Sequence, residues 1–179
     1  MLKYLLLSLA IGSLNILPNR AVAISSDRPI DRNTSEVEAK LPSAHPTAYY
    51  LYAQKLYQAG RRDDAVFWFY VGQLRYRFHL SANPNLPQDG DPAIFASLNA
   101  TLGQEINEYA GGDPVTWVAA IDRALKWDLN SPNYFTSKQQ FNPKYTAIRT
   151  GLMELKQTIQ AQAEEIRLQR SKIGLPNRR

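Results

Sequence analysis

Cysteine is absent from all 179 residues. That excludes a disulfide framework, a thiol nucleophile, an iron–sulfur cluster and a lipid attached through a lipobox cysteine, so stability must come from packing. Histidine occurs only as His45 and His79. Neither has a carboxylate or second histidine at the i, i+4 spacing of a helical metal motif, so no metal and no other cofactor is expected. His79 reads instead as a partner for the last carbonyls of a helix. No serine stands in a G-x-S-x-G setting, and Gly111-Gly112 is too short to cradle a phosphate. Period-2 alternation of β-branched residues is missing as well, which leaves no candidate sheet.

Long apolar runs are also lacking. The most apolar stretch lies at the start, where Lys3 precedes Tyr4 to Leu9 and then Ile11, Leu14, Ile16 and Leu17, ending in the small-x-small pattern Ala21-Val22-Ala23. This reads as an export signal over 1–23 and sets the expected address as periplasmic or secreted. Ser8, Gly12, Ser13 and Asn15 interrupt the run, which falls short of the roughly 20 residues of a membrane span. Without the leader only Lys3 and Arg20 are lost from 21 basic residues, against 16 acidic ones, so the remainder is mildly basic. Its length suits one domain with a real core.

What is present is helical spacing with strong punctuation. Residues 24–45 mix Ser, Asp, Pro and Asn and read as a flexible arm with at most a short turn around Thr34 to Lys40. An all-helical domain of about five helices is expected over 46–172, followed by a basic disordered tail at 173–179. Helices are expected at about Thr47–Ala59, closed by Gly60, then from Arg62 or Asp63 through Phe78, at Pro92–Tyr109, at Pro114–Trp127 and at Pro143–Lys172. The pairs Asp91-Pro92, Asp113-Pro114 and Asn142-Pro143 each place an acceptor side chain before a proline, the pattern of an N-cap. The second helix is apolar over so much of its circumference that it reads as central. The last carries Ile148, Leu152, Leu155 and Ile159, a narrow seam, with a polar second half that is expected to project or to pair with something else.

The segment Tyr49 to Tyr76 (YYLYAQKLYQAGRRDDAVFWFYVGQLRY) resembles one tetratricopeptide or Sel1-like repeat. Gly60 falls on the turn position, Ala53, Ala65 and Gly72 on small positions, and Tyr57 and Phe69 on aromatic ones. Small residues there let two helices approach closely while rings fill the space beside them. A weaker copy runs through Glu105 to Pro132, with Gly112 as its turn and Trp117 where a small residue is expected. The resemblance implies α-hairpins whose usual role is to bind peptides or proteins.

Aromatic residues are the other conspicuous presence. Tyr49, Tyr50, Tyr52, Tyr57, Phe67, Trp68, Phe69, Tyr70, Tyr76 and Phe78 crowd one stretch, and they can form core or line a binding face. On the second reading Tyr50, Arg61, Arg62, Trp68, Arg75 and Arg77 are the candidate partner-binding residues. The function expected is an exported interaction module or adaptor for a protein or peptide, without catalysis. Two alternatives stand beside it. One is a cell-wall-active enzyme using a carboxylate among Glu105, Glu108, Asp113 and Asp122, which otherwise form a solvated face. The other is a protein that self-associates through its last helix. The basic stretch Arg167 to Arg179 suits weak contact with an anionic surface, and nucleic acid is not an expected partner of an exported chain.

Overall fold

A computed structural model describes the backbone of residues 30–178 and the side chains of residues 34–178. The expected leader at 1–23 lies outside the described residues. The chain divides into two units, 1–37 and 38–179. Of the first, Ile30 to Val37 form the start of helix α1 (Ile30–Lys40), so the arm expected at 24–45 is helical over much of its described length.

The second unit is all-helical, with no strand among the described residues. After a 3-10 turn at Leu41–Ser43 come α2 (Thr47–Gln58), α3 (Arg62–Ala82), α4 (Asp91–Ala100), α5 (Leu102–Gly111), α6 (Pro114–Asn130), α7 (Asn142–Ala161) and α8 (Ala163–Lys172). Gly60 adopts φ +82°, the left-handed geometry that ends α2 and turns the chain into α3. Asp63 and Asp64 then sit in the first turn of α3, where carboxylates complement the helix dipole.

Helix α3 is the axis of the domain. It is buried along most of its length, packs most extensively on α2, and also meets α4, α5, α6 and α7. Ala53 and Ala65 are fully buried. A Cβ placed on Gly72 would come within 2.8 Å of the Tyr49 Cβ, so only glycine permits this closeness of α2 and α3. A second close approach occurs at Gly103 of α5, where an added Cβ would meet the Phe69 ring at 3.1 Å.

Two helices expected to be continuous are broken. Between α4 and α5, Thr101 leaves helical geometry (φ −95°, ψ −81°), and its hydroxyl donates to the Ser97 carbonyl at 2.9 Å, a back-bond that competes with helix continuation. The second break falls at Gln162 between α7 and α8. The latter half of this segment does not project: α8 packs on α6 and α7. Arg170 is buried there, its guanidinium donating to the carbonyls of Glu108 and Pro176 at 2.8 Å each. The tail expected to be disordered is likewise held. The Arg178 amide donates to the Gly112 carbonyl at 2.7 Å, and its guanidinium lies 3.7 Å from the centre of the Tyr109 ring.

Of the three Asx-Pro pairs, only Asp113 caps its helix, accepting from the Thr116 amide at 3.2 Å and the Thr116 hydroxyl at 2.7 Å. Helix α7 starts after Phe141 without a side-chain cap. At α4 the N-cap is Gly90, and the Asp91 carboxylate is turned to other partners.

Candidate functional site

The residues expected to form a partner-binding face separate into two groups. Tyr50, Trp68 and Arg75 are interior, 0%, 4% and 1% exposed, which corrects the expectation that they meet a partner. The reason is geometric: Trp68 and Arg75 of α3 are enclosed by α2 and α6, and Tyr50 of α2 is closed in by Phe69 and Tyr76 of α3 and Asn99 of α4. Trp68 stacks edge-on against Tyr52, Phe67 and Trp127. Tyr50 donates to Asn99 Oδ1 at 3.4 Å and packs against Phe69. The others stay at the surface. Arg61 pairs with Asp64 at 2.8 Å, Arg62 lies over the rings of Tyr57 and Tyr109, and Arg77 lies over Phe95.

Arg75 belongs to a buried ionic cluster that holds α3, α6, α7 and the loop after α6 together. Its Nε donates to Asp128 Oδ1 at 3.0 Å and its Nη1 to the Tyr49 hydroxyl at 2.6 Å, while Nη2 reaches the Pro132 carbonyl at 2.9 Å. Asp128, fully buried, also accepts from the Tyr145 hydroxyl at 2.7 Å and from Arg149 at 3.3 Å, with Lys138 Nζ 3.6 Å away. Lys138 further donates to the carbonyls of Asp128 and Ser131, and burial pushes its pKa down. Three cations around one carboxylate, each tied to a carbonyl or ring, make a structural core in which every group has a partner.

A different cluster lies where the entry to α2, the end of α3 and the start of α4 converge. Asp91 accepts from His79 Nε2 at 2.9 Å, from His45 Nε2 at 3.2 Å and from the Tyr76 hydroxyl at 3.1 Å. Burial raises the Asp91 pKa, but the hydrogen bonds from His45, His79 and Tyr76 outweigh it and hold the carboxyl below its ordinary value. Each ring is also held at its other nitrogen. His45 Nδ1 lies 2.9 Å from the Thr47 hydroxyl and accepts from the Thr47 amide at 3.2 Å. His79 Nδ1 lies 3.1 Å from Asn83 Nδ2 and 3.3 Å from the Thr136 hydroxyl. Phe135 packs edge-on against the His45 ring and tilted against the His79 ring, with centroids 4.9 and 5.0 Å away.

Local spacing could not disclose this cluster, because its members lie 34 and 12 residues apart and only the fold joins them. Nothing in the sequence separated Asp91-Pro92 from the ordinary N-cap pattern of Asp113-Pro114. For Asp128 the signal lies in its position, since Trp117, Ile121, Ala124 and Asp128 follow one another at helical spacing, placing a carboxylate on an apolar stripe.

The candidate catalytic carboxylates do not converge with either cluster. Asp122 is held below its ordinary carboxyl value by hydrogen bonds from Lys126 and Lys156, the reverse of the raised acid that glycan chemistry needs. Asp113 caps α6. Glu105 and Glu108 are exposed on α5, where with Tyr57, Thr101 and Gln104 they line an open groove of about 360 Å³. No helix among the described residues is long and apolar enough to cross a membrane. No protein family, curated protein or solved structure compared with this chain matches it.

Proposed function

We propose that this chain is an exported helical module that holds a protein or peptide partner and does no chemistry on it. The observation that carries the reading is the groove between α2 and α5, walled by Tyr57, Gln104, Glu105 and Glu108. Arg62 is stacked on Tyr57 beside it. A tyrosine face with carboxylates along it suits a polypeptide segment bearing lysine or arginine: the ring takes the aliphatic stem and the acids take the head. The α2–α3 hairpin supports the resemblance to a tetratricopeptide or Sel1-like unit, with Ala53, Ala65 and Gly72 at its close contact. The surface available to a partner is then carried by Arg62, Arg77 and the groove, with Tyr50, Trp68 and Arg75 serving as the rigid support.

The test uses a photo-crosslinking residue at Gln104, introduced into the chain in its native host. The expected result is one discrete polypeptide adduct, absent when the probe replaces Lys126 on α6 and reduced at least tenfold by Glu105→Lys with Glu108→Lys. An adduct that forms equally at both positions, or that survives the charge reversal, would count against the groove.

A further inference from the structure

We propose that His45, His79 and Asp91 form a binding site for one divalent first-row transition-metal ion, with zinc as the best fit. The three residues offer one ligand atom each, and those atoms all lie within 4.8 Å of one another. Two imidazoles and one carboxylate with open positions are the donor set of mononuclear zinc and non-haem iron(II) sites. Both imidazole–carboxylate separations fall near the range that such geometry requires. Ligands about 2.0–2.2 Å from an ion, set at tetrahedral to octahedral angles, stand roughly 3–3.5 Å apart. His45 Nε2 is 3.2 Å and His79 Nε2 2.9 Å from the Asp91 carboxylate.

The surroundings have what a metal ligand needs behind it. With Nε2 on the ion, each ring must carry its proton on Nδ1 and find an acceptor there. The Thr47 hydroxyl at 2.9 Å and the Thr136 hydroxyl at 3.3 Å stand in those places. Tyr76 fixes the carboxylate from the third side. Without an ion, the Thr47 amide and Asn83 donate to the two Nδ1 atoms and the Nε2 protons point at Asp91. Loading therefore places the ring proton on Nδ1, which takes the acceptor from the Thr47 amide at His45 and turns the Asn83 amide at His79 away from its 2.9 Å bond to the His79 carbonyl. Access is graded: the His45 side chain is 35% exposed, Asp91 20% and His79 10%. The site opens to solvent on the His45 side, which leaves room for water to complete the coordination.

The experiment is titration of the untagged full chain with cobalt(II) as a spectroscopic stand-in, followed by zinc competition and calorimetry. Expected are visible cobalt bands that saturate at one ion per chain, disappear when zinc is added, and are lost in both His45→Gln and Asp91→Asn. His45→Gln is the decisive variant because its ring is the most exposed of the three. It should keep the parent's helicity without metal and lose the rise in Tm that zinc gives the parent. Thr136→Val should weaken binding about 10- to 100-fold through loss of the Nδ1 acceptor. No saturable cobalt spectrum, or one that persists unchanged in folded His45→Gln and Asp91→Asn, would overturn the assignment and leave the trio as a hydrogen-bonded clasp.

Discussion

Replacing Asp128 with asparagine should destabilise the domain more than any single surface change. The carboxylate is fully buried and faces Arg75 Nε at 3.0 Å, the Tyr145 hydroxyl at 2.7 Å, Arg149 at 3.3 Å and Lys138 at 3.6 Å. Asparagine keeps the shape but removes the charge and turns one acceptor oxygen into an amide nitrogen whose hydrogens meet donors. Arg75, 1% exposed, is then a buried cation without its anion. Breaking such a pair by removing one partner costs about 3–5 kcal/mol, whereas loss of the Tyr145 hydroxyl bond alone costs about 1.5–3 kcal/mol. With a urea slope of roughly 2 kcal/mol per molar, Asp128→Asn should lower the unfolding midpoint by about 2 M, and Tyr145→Phe by clearly less. The pair Arg75→Met with Asp128→Leu should lose less than the sum of its singles, because Arg75 no longer stands as a buried cation without its anion, while Lys138 and Arg149 still lose theirs. A midpoint shift below about 0.5 M for Asp128→Asn would refute the reasoning, since it would rank the cluster with exposed ion pairs.

Other outcomes follow from the same structure. Gly72→Val should cost about 1–3 kcal/mol by overpacking, since its Cβ would fall 2.8 Å from that of Tyr49; thermal denaturation by circular dichroism checks it, and an unchanged Tm would mean that α2 and α3 stand further apart. Deleting residues after Leu175 removes the Pro176 acceptor of Arg170 and the Arg178 contacts with Gly112 and Tyr109, and should cost roughly 1–3 kcal/mol by urea denaturation; no change would return the tail to solvent. Burial raises the pKa of Tyr49 to about 12 and also raises those of Tyr50, Tyr70 and Tyr145. Because the folded values lie above the unfolded value of 10.0, this stability is fully present below about pH 10 and is lost as pH rises through the folded values. Tyrosinate absorbance from these rings should therefore emerge together with loss of helix above pH 10, and would contradict the burial if it rose fully while helicity held.

The hairpin was legible because its causes are local: Gly60 ends α2, and small residues at 53, 65 and 72 leave room for the partner helix. Helix boundaries set by Gly60, Gly112 and Asp113 were equally readable. The breaks at Thr101 and Gln162 were not, because the apolar spacing continues across them and side-chain back-bonding or packing decides. Exposure of the aromatic stretch could not be judged from α3 alone, since whether Tyr50, Trp68 and Arg75 see solvent depends on α4 and α6 arriving from later in the chain. The convergence of His45, His79 and Asp91 is wholly tertiary.

The most direct test is hydroxyl-radical footprinting of the folded chain read residue by residue by mass spectrometry. Tyr134, 74% exposed, should oxidise readily, while Tyr50, Trp68 and Tyr70, each under 5% exposed, should be protected until the chain unfolds. Oxidation of Tyr50 or Trp68 at the rate of Tyr134 in the folded state would contradict the account, because those rings would then be surface rather than the interior that positions everything else.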